Sequence, residues 1–87
     1  MFGWRREMII KVKLYDTLKY EAKANLPHLG SGEVTLRAEA TVNDLILKLG
    51  IEKAIIGLII VNKRQSGFGN TLKDGDKVEL FSPMAGG

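Results

Sequence analysis

The sequence predicts an α+β fold in which one mixed sheet is covered on one face by a single main helix. Two early segments, Met8 to Leu14 and Glu33 to Glu39, alternate apolar with polar residues, the period of strands that bury one face. A third segment, Val42 to Leu49, spaces its apolar residues at helical intervals. Two further apolar stretches follow it, around Leu58 to Val61 and Lys77 to Phe81. The order is therefore strand, strand, helix, strand, strand, and one helix must cover one sheet.

Met1 to Glu7 holds Trp4, Arg5 and Arg6 without any period and reads as an N-terminal extension, residues 1–7. In the first strand Ile10, Val12 and Leu14 alternate with Lys11 and Lys13. Tyr15 to Gly32 carries Pro27 and ends in Gly30-Ser31-Gly32, so it reads as connection with one helical turn around Leu18 to Ala24. His28 lies in this loop beside a proline, with no second titratable group placed next to it, and reads as a solvated side chain. The second strand directs Val34, Leu36 and Ala38 to the core. Thr41 then offers its hydroxyl to the backbone N–H three residues on, and Asp44 supplies negative charge at the helix N-terminus. Val42, Leu45, Ile46 and Leu49 form the buried stripe, Leu47 lies off it, and Gly50 supplies the left-handed cap. Leu58 to Val61 is continuously apolar, which suits a strand covered on both faces, one of them by the helix. Asn62-Lys63-Arg64 turns the chain, Gly67 to Asn70 is expected to be a flexible loop, and Lys73-Asp74-Gly75-Asp76 is a glycine-centred turn. In the last strand Val78 and Leu80 face inward, leaving Phe81 outside with Lys77 and Glu79. If the first two strands form a hairpin and the last returns to the centre beside the first, the result is a β-grasp domain over residues 8–81.

With 87 residues, 45% hydrophobic and 26% charged, the chain suits one globular domain around a single core. The absence of cysteine excludes disulfides, thiolate metal sites and cysteine nucleophiles. Arg5, Arg6, Lys11 and Lys13 against Glu7 account for the whole net charge of +3. The remaining lysines are scattered among acids, without the basic, aromatic-interleaved stripe of a nucleic-acid partner. The longest uncharged apolar run, Ala54 to Val61, falls short of the ~20 residues of a membrane span, so the expected location is the cytoplasm, with no membrane partner. Side-chain catalysis is not in sight either. Gly67-Phe68-Gly69 leads into Asn70 and a turn, not into a helix N-terminus, and Asp74 and Asp76 lack the further ligands of a calcium loop. No bound cofactor and no metal ligands are expected.

The chain ends Ser82-Pro83-Met84-Ala85-Gly86-Gly87, a flexible C-terminal tail over residues 82–87. Two terminal glycines carry no Cβ, so such a tail could enter a narrow slot and present a bare carboxylate to a partner's active site. Pro83 would stiffen its stem. A plain mobile terminus is the alternative reading of the same residues.

Asn62 after an apolar strand, then Leu72-Lys73-Asp74-Gly75-Asp76-Lys77-Val78, then Phe81 through the terminal Gly86-Gly87, resembles the ubiquitin-like, β-grasp sulfur-carrier family. Within it the chain is most similar to small subunits of molybdopterin synthase, with thiamine sulfur carriers as relatives. The likeness runs from about Met8 to Gly87, and its most specific part is the Leu-x-Asp-Gly-Asp turn at a set distance from the terminal Gly-Gly. Two positions depart from the family's common pattern: Ser82-Pro83 stands where two prolines are frequent, and Lys63 where a glycine is.

The resemblance implies that a ubiquitin-activating-type adenylyltransferase uses ATP to convert the Gly87 carboxylate into an acyl-adenylate. A sulfur donor enzyme carrying a persulfide then supplies the sulfur of a Gly87 thiocarboxylate. The tail next enters the large catalytic subunit of molybdopterin synthase and gives that sulfur to a cyclic pyranopterin, building the dithiolene that holds molybdenum or tungsten. On this reading Gly87 is the covalent carrier and Gly86 gives the slim approach. Gly86, Ala85, Met84, Pro83, Phe81 and Phe68 contact partners, the two phenylalanines sharing an apolar patch on the outer sheet face. A thiamine-pathway carrier, a ubiquitin-like modifier conjugated through Gly87 and a passive interaction module are the competing readings.

Overall fold

Glu7–Leu14 forms strand β1, exposed and buried residues alternating along all eight positions. The computed structural model in which this is seen describes residues 6–24 and 26–83. Strand β2, Ser31–Arg37, pairs with β1 antiparallel, placing Met8 opposite Leu36 and Ile10 opposite Val34. The connection contains one 3₁₀ turn, Asp16–Tyr20, earlier and tighter than the turn expected around Leu18 to Ala24. Lys23 and Ala24 have another task, since their N–H groups donate to the Leu49 carbonyl at 2.8 and 3.2 Å, satisfying a helix end that would otherwise be orphaned. His28 is exposed, as expected.

Ala38 is exposed, against expectation, because β2 stops at Arg37 and the chain swings through Glu39 at φ 70°. Ala40 enters the core in its place. Helix α1, Val42–Leu49, follows with a full capping box: the Thr41 Oγ1 accepts from the Asp44 N–H, and the Asp44 carboxylate accepts from the Thr41 N–H at 2.9 Å. Val42, Leu45, Ile46 and Leu49 are buried, Leu47 is exposed, and Gly50 closes the helix at φ 76°.

Strand β3, Leu58–Val61, buries Ile59 and Val61 but leaves Leu58 and Ile60 half-buried. The expectation of cover on both faces is corrected: α1 lies over one side only. Asn62 and Lys63 at φ 51° and 71° make a two-residue reversal into β4, Arg64–Ser66, with Val61 opposite Arg64. This polar edge strand has no apolar alternation to announce it. The loop that follows is tied to the helix N-terminus, where Val42 N–H donates to the Asn70 carbonyl and Asn43 N–H to the Phe68 carbonyl, each at 2.9 Å.

Strand β5, Lys77–Phe81, completes a five-stranded sheet of order β2-β1-β5-β3-β4. It runs parallel to β1 and antiparallel to β3, so the last strand lies between the first and third, the expected β-grasp arrangement. Val78 and Leu80 are fully buried beneath α1 with Ile10, Leu45 and Leu49, each such side chain contributing about 1.5–3 kcal/mol by leaving water.

Candidate functional site

The chain leaves the sheet from its central strand, which determines what surrounds the start of the tail. At the last residues of β5 the parallel neighbour β1 is also ending, and the antiparallel neighbour β3 is beginning, with Leu14 opposite Leu80 and Leu58 opposite Phe81. Two backbone bonds extend this pairing: Tyr15 N–H donates to the Leu80 carbonyl at 2.9 Å, and Gly57 N–H to the Phe81 carbonyl at 2.8 Å. The period of two places Phe81 and Tyr15 together on the sheet face away from α1. Their rings stack with centroids 4.3 Å apart and planes 10° from parallel.

Polar groups frame this stack. The Tyr15 hydroxyl donates to Glu79 Oε2 at 2.5 Å, and the Lys13 ammonium lies 5.1 Å from the centre of the Tyr15 ring. The bond to the Glu79 carboxylate, aided by burial and by the carboxylate's charge, holds the Tyr15 phenol above its ordinary pKa. Tyr15 therefore stays a donor at neutral pH. Beyond β5, the Ser82 hydroxyl donates to Asp16 Oδ2 at 3.2 Å. Half-buried Leu58 and Ile60 flank Phe81 and Glu79 on the same face, extending an apolar surface across three strands.

Among the described residues, no group of three or more His, Cys, Asp or Glu is placed to hold a metal. A surface cavity of about 710 Å³, lined by Arg6, Met8, Leu72 and Lys73 among others, lies at the opposite end of β1 from the tail. The surface around Phe81 is partly apolar and bordered by Glu79, Lys13 and Asp16, and the chain departs from it through Ser82 and Pro83.

Of the residues singled out in the sequence, Phe81 and Pro83 lie at this root. Phe68 does not join Phe81: it packs against the core on the helix side, with the Lys53 ammonium 5.1 Å from its ring centre. The cause is the pair of bonds tying its loop to the N-terminus of α1. Met84, Ala85, Gly86 and Gly87 lie outside the described residues. Sequence reasoning missed Tyr15, Asp16, Gly57, Leu58 and Ile60. Continuing the odd-numbered parity of Ile9, Lys11 and Lys13 by one step would have found Tyr15 on the outer face, whereas Gly57 carried no such signal.

The motif between Leu72 and Val78 is structural. Asp74 Oδ1 accepts from the Ile9 N–H, and Asp76 accepts from the Lys73 N–H and the Asn62 side-chain amide, each at 2.8 Å. These bonds seat the turn against the start of β1 and the end of β3, and so set the register in which β5 enters the sheet.

A family model described as the ThiS family matches residues 13–87. Among solved structures, a Pyrococcus furiosus protein provisionally assigned as molybdopterin converting factor, subunit 1, is 27% identical over 88% of this chain and 99% of that one, with a TM-score of 0.69. The Haloferax volcanii HVO 2177 protein is 22% identical over 93% of this chain and 88% of its own, with a TM-score of 0.72. The small archaeal modifier protein 1 of Methanosarcina acetivorans is 24% identical over 98% of this chain and 100% of its own, with a TM-score of 0.60. The latter two likenesses establish the fold alone. No curated protein matches the sequence.

Proposed function

The chain belongs to the ThiS family of sulfur-carrier β-grasp proteins, and from that membership we propose that it acts as the sulfur-carrying small subunit of a molybdopterin synthase in the cytoplasm. The observation that carries this reading is the exit of the chain from the central strand at Phe81 to Pro83, beyond which only Met84 and Ala85 separate it in sequence from Gly86-Gly87. Similarity to the Pyrococcus protein supports molybdopterin as the destination.

In this reading the Gly87 carboxylate attacks the α-phosphate of ATP on an adenylyltransferase, releasing pyrophosphate. The terminal sulfur of a donor persulfide displaces AMP, and a thiol reduces the resulting acyl disulfide to the thiocarboxylate. Phe81, Tyr15, Leu58 and Ile60 supply the apolar docking surface, and Pro83, Met84, Ala85 and Gly86 contact the slot. Phe68, on the helix side, contributes at most to a second contact.

The test is transfer. A Gly87-thiocarboxylated chain is incubated with the large subunit of a molybdopterin synthase and cyclic pyranopterin, and its mass is followed. Return of the carboxylate with formation of the dithiolene product is the expected result. Retention of sulfur there, with release to a thiazole-forming system, would move the chain to the thiamine pathway. A second reading, conjugation of Gly87 to lysines, needs the same activated carboxylate and predicts higher-mass protein adducts instead.

A further inference from the structure

Resting on the carrier reading, we infer that Gly57 is a positioning residue that aims the C-terminal tail. Its glycine is not demanded by conformation, since the glycines at positive φ are Gly30, Gly50 and Gly75 among the described residues. It is demanded by space. A Cβ at Gly57 would stand 2.5 Å from the Pro83 Cα, 2.7 Å from the Pro83 nitrogen and 3.0 Å from the Ser82 carbonyl oxygen. All three are backbone atoms, so no side chain can rotate out of the way. At Gly67 and Gly69 a Cβ meets nothing within 4 Å.

The contact works with others to grip the tail from both sides. On the β3 side, Gly57 N–H holds the Phe81 carbonyl at 2.8 Å while its bare Cα lets Pro83 lie close. On the β1 side, Tyr15 stacks on Phe81, and Asp16, held at φ 56°, accepts the Ser82 hydroxyl. The proline ring then fixes φ at the point where the chain departs. Four residues beyond Pro83 span at most about 14 Å, so the position held by Pro83 bounds the region in which the Gly87 carboxylate can react. A side chain at Gly57 displaces Pro83, and with it the point from which that reach is measured. Its cost belongs to the reacting geometry and not to binding.

The test compares the full-length chain with Gly57→Ala and Ser82→Ala. Two measurements are made: Gly87 adenylation by a ubiquitin-activating-type enzyme with ATP, read as pyrophosphate release, and nuclear Overhauser contacts between Gly57 and Pro83. For Gly57→Ala the expected result is a kcat lowered about tenfold to a hundredfold, KM held within about twofold, loss of the close contact to Pro83, and unchanged amide signals from the core. Ser82→Ala, which removes a hold without intruding, gives a smaller fall in kcat. An unchanged kcat in Gly57→Ala, a change confined to KM, or unfolding of that variant would each overturn the inference. A wild-type chain that is never adenylated contradicts the carrier reading instead, and the Overhauser contacts still decide whether Gly57 holds the tail root.

Discussion

Asn62 and Lys63 both occupy the left-handed region, at φ 51° and 71°, yet only Asn62 has a reason to be there. Its side chain donates to Asp76 at 2.8 Å and accepts from the Lys77 N–H at 2.9 Å, so it joins β3 to the start of β5. Asn62→Ala removes both bonds and leaves a Cβ in a poor conformation, and is expected to cost about 1–3 kcal/mol. Among the described residues Lys63 makes no side-chain hydrogen bond of this kind; Lys63→Gly is expected to stabilise the chain by up to about 1 kcal/mol, since a two-residue reversal of this type favours Asn-Gly and a non-glycine residue is strained there. Urea midpoints of the two variants, moving in opposite directions, check the pair. These residues also mark how far the sequence could be read. Asn62 and the Asp-Gly-Asp turn were legible as a motif, but the bond between them joins positions 14 residues apart, and no local rule predicts it. Phe81 was placed on the outer face by strand parity, but Tyr15 was read as the start of a connection, and their stacking follows from the parallel pairing of the first and last strands.

At the scale of elements, helix α1 was the most legible because every signal agreed: the stripe from Val42 to Leu49, Thr41 at its start and Gly50 at its end. Thr41→Ala is expected to lower stability by about 1 kcal/mol, measured by thermal unfolding. The same cap gives a pH dependence. Bonds from the Thr41 backbone and side chain, the backbone bond foremost, hold Asp44 below the usual carboxylate pKa. A depressed folded value means stability that is present above the unfolded value near about pH 4 and lost as pH falls through the folded one. Asp44→Asn should therefore flatten the acid limb of the stability profile, which unfolding midpoints between neutral and strongly acidic pH will show. Strand β4 was illegible for the opposite reason. Arg64, Gln65 and Ser66 form a short polar edge whose strand character comes from pairing with β3. The error over β3 arose because an apolar run such as Leu58 to Val61 does not say whether its second face meets a layer or a partner.

At the scale of the molecule, the fold and the proposed chemistry are separable. Among the described residues, the buried ones run from Met8 to Leu80, ahead of Phe81 to Pro83. Removing Gly86 and Gly87 is expected to leave thermal unfolding unchanged while abolishing every modification of the C-terminus. Leu80→Ala, in the central strand, should do the reverse kind of damage, costing about 2–5 kcal/mol and loosening the sheet as a unit. The central placement of β5 gives the tail's root a strand on either side.

The most direct measurement is the intact mass of the chain, with thiol-selective alkylation, after reaction with an adenylating enzyme, ATP and a persulfide donor. Because the chain has no cysteine, any alkylated sulfur reports new chemistry, and fragmentation distinguishes it from methionine oxidation. A single label on Gly87, lost when ATP is withheld, is the expected result. A Gly87 that stays unlabelled while a control carrier is converted by the same enzymes would contradict it.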